Sequence, residues 1–190
     1  MGCNRRQLMS LGLAALLVPA DRSWAGAYLD YAMGLAAHPP DGAQYRSDLE
    51  ERLVALLNAY RAEKGKDAVT PDLAFHDAAR AHAADMMLHG FMGHTASTGH
   101  SFQGRMSAFV GDVTKYPSLG ENAARDTQET PVDEAKLRAL FQQWVESRSH
   151  RKNMVSRDYR FVSTGVIQKG DSIWAVQIFF GTPRKKGLFQ

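Results

Sequence analysis

The sequence predicts an α+β fold, with helices in the first part of the chain and an antiparallel pair of strands at its end. Three segments between residues 47 and 147 carry apolar residues at helical spacing. After residue 160 the pattern changes to two runs that are rich in β-branched and aromatic residues. Strands and helices do not alternate, so we expect helices that cover a small sheet within a single domain.

The first two helices are predicted from their end signals and their apolar spacing. Ser47 and Glu50 match a capping box, and Gly65 supplies a stop. The apolar positions between them are Leu49, Leu53, Leu56, Leu57 and Tyr60. A second start is predicted at Thr70-Pro71-Asp72, because proline is favoured in the first helical turn, and Gly90 ends this helix.

A third amphipathic helix and a hairpin complete the predicted elements. Thr130-Pro131 opens a segment that runs to about Ser147. One face of it carries Leu137, Leu140, Phe141, Trp144 and Val145. The runs 162–168 and 173–180 flank Lys169-Gly170-Asp171-Ser172, which predicts a β-hairpin.

The first 25 residues have the pattern of an export leader. Arg5-Arg6 precedes an apolar stretch from Leu8 to Ala20, and Ser23-Trp24-Ala25 is a small-x-small cleavage pattern. The arginine pair resembles a twin-arginine signal, which indicates a bacterial protein. The apolar stretch is shorter than the roughly 20 residues that span a bilayer. We therefore expect cleavage, no stable membrane anchor, and a periplasmic or secreted protein.

The rest of the chain divides into an arm, one domain and a tail. Residues 26–46, with Pro39-Pro40-Asp41-Gly42, predict a linker or N-terminal arm, residues 47–181 the domain, and residues 182–190 a C-terminal tail. Without the leader, 20 basic and 19 acidic residues remain of the 23 and 20 in the chain. No basic stripe interleaved with aromatic residues appears, so nucleic acid is not an expected partner.

Three short polar sequence motifs, called words below, contain the candidate site residues His94, Glu121 and His150. The words are Gly90-Phe91-Met92-Gly93-His94, Gly120-Glu121-Asn122 and His150-Arg151-Lys152-Asn153-Met154. They lie where helices stop and loops begin, which is where scaffolds usually present functional side chains. Two imidazoles and a carboxylate can bind a divalent metal such as zinc, act as general acid and base, or hold loops together as a polar cluster.

The order and spacing of these words resemble the CAP superfamily, which comprises the cysteine-rich secretory, antigen 5 and pathogenesis-related 1 proteins. The resemblance covers about residues 49–181. Its matching pieces are Leu57-Asn58-x-x-Arg61, Ala81-His82-Ala83-x-Asp85-Met86, Gly90-Phe91 with His94, Gly99 and Arg105, Gly120-Glu121-Asn122, Trp144-x-x-Ser147, His150-Arg151-x-Asn153-Met154, Gly165-Val166 and Trp174-Ala175-x-Gln177. The chain looks like a bacterial member.

The resemblance implies an α-β-α sandwich, also described as an SCP domain, with a central cleft that holds two histidines and acidic residues. By position, His94 and His150 are the histidines and the metal-ligand candidates, and Glu121 is the first acid. The second acid of many members is replaced here by Ser147. Members of the family have been linked to divalent metal, to sterol or lipid binding, and in a few cases to proteolysis.

The expected function is a binding module for a lipid, sterol or other small ligand, with zinc or another divalent metal as a candidate cofactor. The alternatives are a metal-assisted hydrolase acting on peptides or wall material, with Glu121 as its base, and an adaptor whose cleft binds a protein partner. Other residues have predicted supporting roles. Arg105 and Asn153 should brace loops, His82 should lie partly buried on its helix, and His100 is a candidate assistant to His94.

Overall fold

The computed structural model describes residues 23–184, which form six α-helices and five strands. The helices are α1 (Ser23–Ala37), α2 (Ser47–Glu63), α3 (His76–His89), α4 (Phe102–Val110), α5 (Glu134–Glu146) and α6 (Arg148–Val155). The strands are β1 (Ala43–Tyr45), β2 (Thr70–Pro71), β3 (Leu119–Asp126), β4 (Phe161–Lys169) and β5 (Ser172–Phe180). Within residues 23–184, none of the helices combines the length and the hydrophobicity that a membrane span requires.

The predicted hairpin is the centre of the sheet. Strands β4 and β5 pair antiparallel from Phe161 opposite Phe180 to Lys169 opposite Ser172. Strand β3 pairs antiparallel with the other edge of β5, so that Glu121 lies opposite Ile178. The short strands β1 and β2 lie at the two ends of the free edge of β4, β1 antiparallel and β2 parallel.

Helices cover both faces of this sheet, which gives the three-layer α-β-α arrangement that the resemblance implied. One apolar core packs α2, α5 and α6 on the sheet, and includes the fully buried Leu53, Leu57 and Trp144. The other core packs α3 and α4 on the opposite face, around Phe75 and Met106. The predicted α+β class and the single domain are therefore confirmed.

The interpretation of residues 26–46 as a linker or arm is wrong for most of their length. Helix α1 covers the first part, and β1 joins the sheet. Tyr28 and Ala32, four residues apart, are buried against α3 and the loop after it. A helix face made of alanine and tyrosine gives a weak apolar period, which explains why the sequence pattern did not indicate it. Of the predicted leader, only its last three residues, at the start of α1, fall within the described residues.

Two of the predicted helix starts are also corrected. Residue Arg46 precedes α2 without a side-chain cap, and Glu50 does not reach back in a capping box. Instead, Glu50 is buried and accepts hydrogen bonds from Arg80 and from the backbone of Val166. The second helix begins at His76 rather than at Thr70, because Thr70–Pro71 pairs with β4 as strand β2. In both cases a tertiary contact replaces the local signal.

Candidate functional site

Helix α3 ends where the sequence predicts, and the loop that follows carries His94. The C-cap residue Gly90 has a φ of 69°, a left-handed conformation that glycine adopts without steric cost. The loop brings the His94 ring to the edge of β3, with Nδ1 2.8 Å from Oε1 of Glu121. The His94 side chain is 52% exposed, whereas that of Glu121 is 2% exposed. The site therefore has a solvent-facing imidazole on a buried carboxylate.

Strand β3 presents Glu121 directly after a glycine that the packing requires. A Cβ at Gly120 would lie 2.4 Å from the hydroxyl oxygen of Tyr159 and 3.0 Å from Oδ1 of Asn153. The backbone oxygen of Glu121 accepts a hydrogen bond of 3.2 Å from Nδ2 of Asn153. The strand can therefore approach α6 closely, and the predicted bracing role of Asn153 agrees with its contacts.

The Glu121 carboxylate is held by the guanidinium of Arg105 on helix α4. Nη2 of Arg105 donates to both carboxylate oxygens, at 2.7 and 2.6 Å, and the two side chains are almost fully buried. Nε of Arg105 also donates to the backbone oxygen of His94, at 3.2 Å. Arg105 thus braces the loop, as predicted. It also balances the negative charge of the Glu121 carboxylate, which the sequence did not indicate.

These contacts set the protonation states of the site. Burial by itself would raise the pKa of Glu121, but the charge of Arg105 and the hydrogen bond with His94 outweigh it and lower the pKa to about 2. The hydrogen bond with Glu121 raises the pKa of His94 above its ordinary value, in spite of partial burial. The pair therefore favours an ionised carboxylate and a protonated imidazole, with Nδ1 of His94 as the donor.

The second candidate histidine, His150, lies within α6 rather than in a loop after the preceding helix. Its ring faces that of His94, with the centroids 6.4 Å apart and the planes at 76°. Its backbone oxygen accepts a hydrogen bond of 3.1 Å from Nδ2 of Asn122. Burial, and secondly the charge of His94, lower the pKa of His150. The structure therefore brings all three predicted site residues together. The pKa shifts favour the charged form of His94 and the neutral form of His150.

Helix α3 contributes a fourth residue, His82, which the sequence placed only as a partly buried helix histidine. Its side chain is fully buried, and Nε2 lies 2.8 Å from the backbone oxygen of Gly93 and 3.9 Å from Oε1 of Glu121. Burial, followed by the charge of Arg105, lowers the pKa of His82. The residue ties the loop of His94 to α3. Its position in the family motif was the available signal, but spacing alone could not reveal the contact.

Two other candidates lie apart from this cluster. His100 is buried against the ring of Tyr28, 4.6 Å between centroids, and its Nδ1 lies 2.9 Å from the hydroxyl of Thr98. Ser147 joins α5 to α6, and its hydroxyl lies 3.1 Å from that of Ser149. Ser147 stands where many family members have their second acid, and its hydroxyl faces another serine and not the ring of His150.

The donor set fits a metal ion poorly. Both oxygens of Glu121 already accept hydrogen bonds from Arg105, which leaves His94 and His150 as ligands. Across residues 23–184, no group of three or more histidine, cysteine, aspartate or glutamate side chains is arranged to hold a metal. Catalytic zinc sites use three protein ligands as a rule. The described residues supply two, so we derive no metal-dependent step.

The sequence is similar to that of a bacterial protein and to the sequence model of one protein family. The uncharacterized protein YkwD of Bacillus subtilis (strain 168) is 30% identical over 131 residues, which cover 69% of this chain and 47% of that protein. The chain thus spans about half the length of this relative. A sequence model described as "CAP: Cysteine-rich secretory protein family" matches residues 54–179, which include all the candidate site residues.

Solved structures show the same fold. An extracellular protein with an SCP domain from Bacillus anthracis strain Ames has a TM-score of 0.60 at 21% identity, over 72% of this chain and 41% of that chain. An outer surface protein of Borrelia burgdorferi has a TM-score of 0.62 at 15% identity, over 75% of this chain and 99% of that chain. Since the family model matches well over half of the sequence, the chain belongs to the CAP, or cysteine-rich secretory protein, family.

Proposed function

We propose that the protein is an exported binding module whose cleft holds the oxygen-bearing head group of a small ligand. Two head groups fit this chemistry, the carboxylate of a fatty acid and the hydroxyl of a sterol. The observation that carries the proposal is the half-exposed ring of His94, which is oriented through Nδ1 by Glu121. Its other nitrogen, Nε2, has no hydrogen-bond partner in the described part of the chain and can donate to a ligand.

The charges of the cleft favour an acceptor oxygen. Arg105 carries a positive charge and Glu121 a negative one, the raised pKa of His94 favours its protonated form, and the lowered pKa of His150 favours its neutral form. The net charge near the two imidazoles is therefore positive. A protonated imidazole donates charge-assisted hydrogen bonds to carboxylates, which are stronger than neutral ones.

The same geometry argues against a hydrolase that uses Glu121 as its base. A general base works best when its pKa lies near the working pH, and the pKa of Glu121 is lowered to about 2. Both carboxylate oxygens are also occupied by Arg105. Glu121 is better suited to orienting His94, in the way that a carboxylate orients a functional imidazole.

Two findings support a location outside the cytoplasm. The leader pattern of residues 1–25 predicts export. The structural neighbours with the same fold are described as an extracellular protein and an outer surface protein. The simplest test is to express the full chain with its leader in a bacterial host, where we expect a shortened mature form outside the cytoplasm.

Equilibrium binding of a fluorescent fatty acid and a fluorescent sterol tests the proposed ligand class. We expect binding of at least one probe by the purified protein, and its loss in a His94→Ala/His150→Ala variant of unchanged circular dichroism. If the fatty acid is the ligand, affinity should fall as the pH rises through the raised pKa of His94, because the imidazole loses its charge. Sterol binding should change little with pH. Binding that survives in the double variant would contradict the proposal and favour another surface.

A calorimetric zinc titration of the same two proteins tests the metal prediction for His94 and His150. The pairing of Nδ1 of His94 with a carboxylate is typical of metal-binding histidines and supports it. The absence of a third free ligand among the described residues leads us to expect binding weaker than micromolar. Micromolar binding that is lost in the double variant would instead establish a metal site and make the hydrolase alternative worth screening.

A further inference from the structure

A second candidate binding surface lies on the far side of α6 from His150. Residues Arg148, Arg151, Lys152 and Val155 are spaced so that they share one face of this helix. His150 lies on the opposite face, where its ring meets that of His94. The helix therefore separates His94 and His150 from a basic surface, and the proposed function does not use that surface.

Two adjoining cavities form a groove along this surface, called the basic groove below. The first, of about 470 Å³, lies between α6 and the end of α2, and its cations are Lys64, Lys66, Arg148, Arg151 and Lys152. The second, of about 390 Å³, continues past the end of α2, and its solvent-facing cations are Lys66, Arg157 and Arg160. Lys66 lines both, so the two cavities adjoin at this side chain.

The positive charge of the basic groove is almost uncompensated. One carboxylate lines it, that of Asp67, which lies 3.7 Å from Arg160 and is 89% exposed. Within residues 23–184, Lys66 and Arg148 form no ion pair, and Lys64 lies over the ring of Tyr60 instead. Clustered charges of one sign in a concave surface concentrate their field and attract counter-charged ligands.

The walls of the basic groove are fixed to each other by a buried arginine. Arg61, which is 1% exposed, donates through Nη1 to the backbone oxygens of Met154 and Ser156, at 2.7 and 3.0 Å. Its Nε donates to the backbone oxygen of Asp67, at 2.7 Å. These bonds join the end of α2 to the end of α6. The groove is therefore formed before any ligand arrives, which reduces the entropic cost of binding.

We propose that the basic groove binds a soluble, linear polymer of phosphate groups. Successive cavities that share a lysine suit a chain with charges repeated along its length, and arginine and lysine are the usual partners of phosphate. The large apolar side chains that the described residues leave exposed, Met33, Leu73, Leu88 and Met92, all lie outside the groove, so it lacks groups that would enter a membrane. Its aromatic residue, Tyr60, is buried, and no ring is presented for stacking on bases.

The test is binding of labelled inorganic polyphosphate to the purified protein at low and at physiological salt. We expect binding that weakens steeply as salt rises, because phosphate contacts release counterions. A Lys66→Gln/Arg148→Gln variant should bind about tenfold more weakly and with a shallower salt dependence, since it removes two contacts. The matched control is Arg125→Gln/Lys169→Gln, which removes the same charge from exposed side chains elsewhere and should bind as the unaltered protein does.

Circular dichroism of both variants should match that of the unaltered protein, because none of the four side chains is buried. Equal weakening in the control would show attraction to net charge alone and would overturn the proposal. Binding to phosphatidylglycerol vesicles without binding to polyphosphate would assign the surface to a membrane and overturn it as well. Tighter binding of single-stranded DNA than of polyphosphate would do the same, since it would require a site for bases. The cleft variant His94→Ala/His150→Ala should leave polyphosphate binding unchanged.

Discussion

The ion pair between Arg105 and Glu121 decides what the candidate site can do. A buried carboxylate close to two histidines has the composition of a catalytic or metal site. The two hydrogen bonds from Arg105 convert it into a fixed anchor, since they occupy its oxygens and keep it ionised. His94 acquires its orientation and its raised pKa from that anchor. The most reactive group of the site is therefore the imidazole and not the acid.

Removing one partner of this pair should be costly. Arg105→Met removes the buried counter-charge of Glu121 and leaves only the half-exposed imidazole of His94 beside the carboxylate. Breaking a buried ion pair in this way typically costs about 3–5 kcal/mol of the free energy of unfolding. Chemical denaturation followed by circular dichroism measures the loss. An Arg105→Met/Glu121→Leu variant should recover much of it, because no unpaired charge remains. Arg52→Met, which breaks an exposed pair with Glu134, is the matched control and should have little effect. A small loss for Arg105→Met would show that water or another group reaches Glu121.

The sequence predicted the residues of the site better than the contacts between them. His94, Glu121 and His150 were found because each belongs to a short polar motif outside the apolar runs, and the structure brings them together. The helix α6 around His150 was not predicted. The contact of Nη2 of Arg105 with both oxygens of Glu121 and the link from His82 to Gly93 were not predicted. They join residues 11 to 16 positions apart through side chains, and neither helical nor strand periodicity reports such contacts.

At the scale of the element, the packing of α3 on the sheet depends on a residue without a side chain. A Cβ at Gly165 on β4 would lie 2.4 Å from the backbone nitrogen of Arg80 and 2.5 Å from the carbonyl carbon of Ala79. These are backbone atoms of α3, so no side chain can move aside. The helix and the strand are therefore in direct backbone contact at this point, and the position of His82 above β3 follows from it.

Gly165→Ala should separate α3 from the sheet. Because overpacking against backbone forces a shift of the whole element, we expect a loss of about 3 kcal/mol or more in the free energy of unfolding. Gly34→Ala is the control, since a Cβ at Gly34 in helix α1 meets nothing within 4 Å. That variant should be neutral or more stable by up to about 1 kcal/mol, because alanine favours a helix. Thermal and denaturant unfolding of the two variants gives the comparison, and equal stability would contradict the close contact.

The elements that were predicted correctly are those with strong internal periodicity. Helices α2 and α5 and the hairpin of β4 and β5 carry long apolar faces, and their positions agree with the structure to within a few residues. Helix α1 was missed because its buried face mixes alanine with tyrosine and gives a weak apolar period. Strand β2 was read as a helix start because Thr70-Pro71 also satisfies that local pattern. A strand of two residues exists only through its partner, so local sequence does not indicate it.

At the scale of the whole molecule, buried titratable groups make stability depend on pH. His82 and His150 have lowered pKa values, and burial is the main cause. Their contribution to the free energy of unfolding is therefore complete above the ordinary pKa of 6.5 and is lost as the pH falls below it. Glu121 has a pKa lowered to about 2 from 4.5, so its contribution is lost between those values as the pH falls. His94, with a raised pKa, acts in the opposite direction and loses its contribution as the pH rises above 6.5.

The melting temperature should therefore decrease in two stages as the pH falls from neutral. The first stage should lie near pH 6.5, where the unfolded chain gains protons that buried histidines resist, and the second below about pH 4.5. His82→Gln keeps a donor close to the position of Nε2 and removes the titration, so it should reduce the first stage and leave the second unchanged. Circular dichroism melts between about pH 3 and pH 8 measure both stages. A single transition with the same midpoint in both proteins would contradict the assignment.

Arg61, which joins α2 to α6, provides a cross-link between distant segments that does not require a disulfide. The one cysteine of the chain is Cys3, so residues 23–184 contain no thiol from which a disulfide could form. Arg61 and Arg105 instead connect segments that are distant in the sequence, through carbonyl and carboxylate oxygens. Secreted domains often depend on an oxidising compartment for such connections. Guanidinium links need no oxidant and survive reductants, so the connections made by Arg61 and Arg105 do not depend on the redox potential of the surroundings.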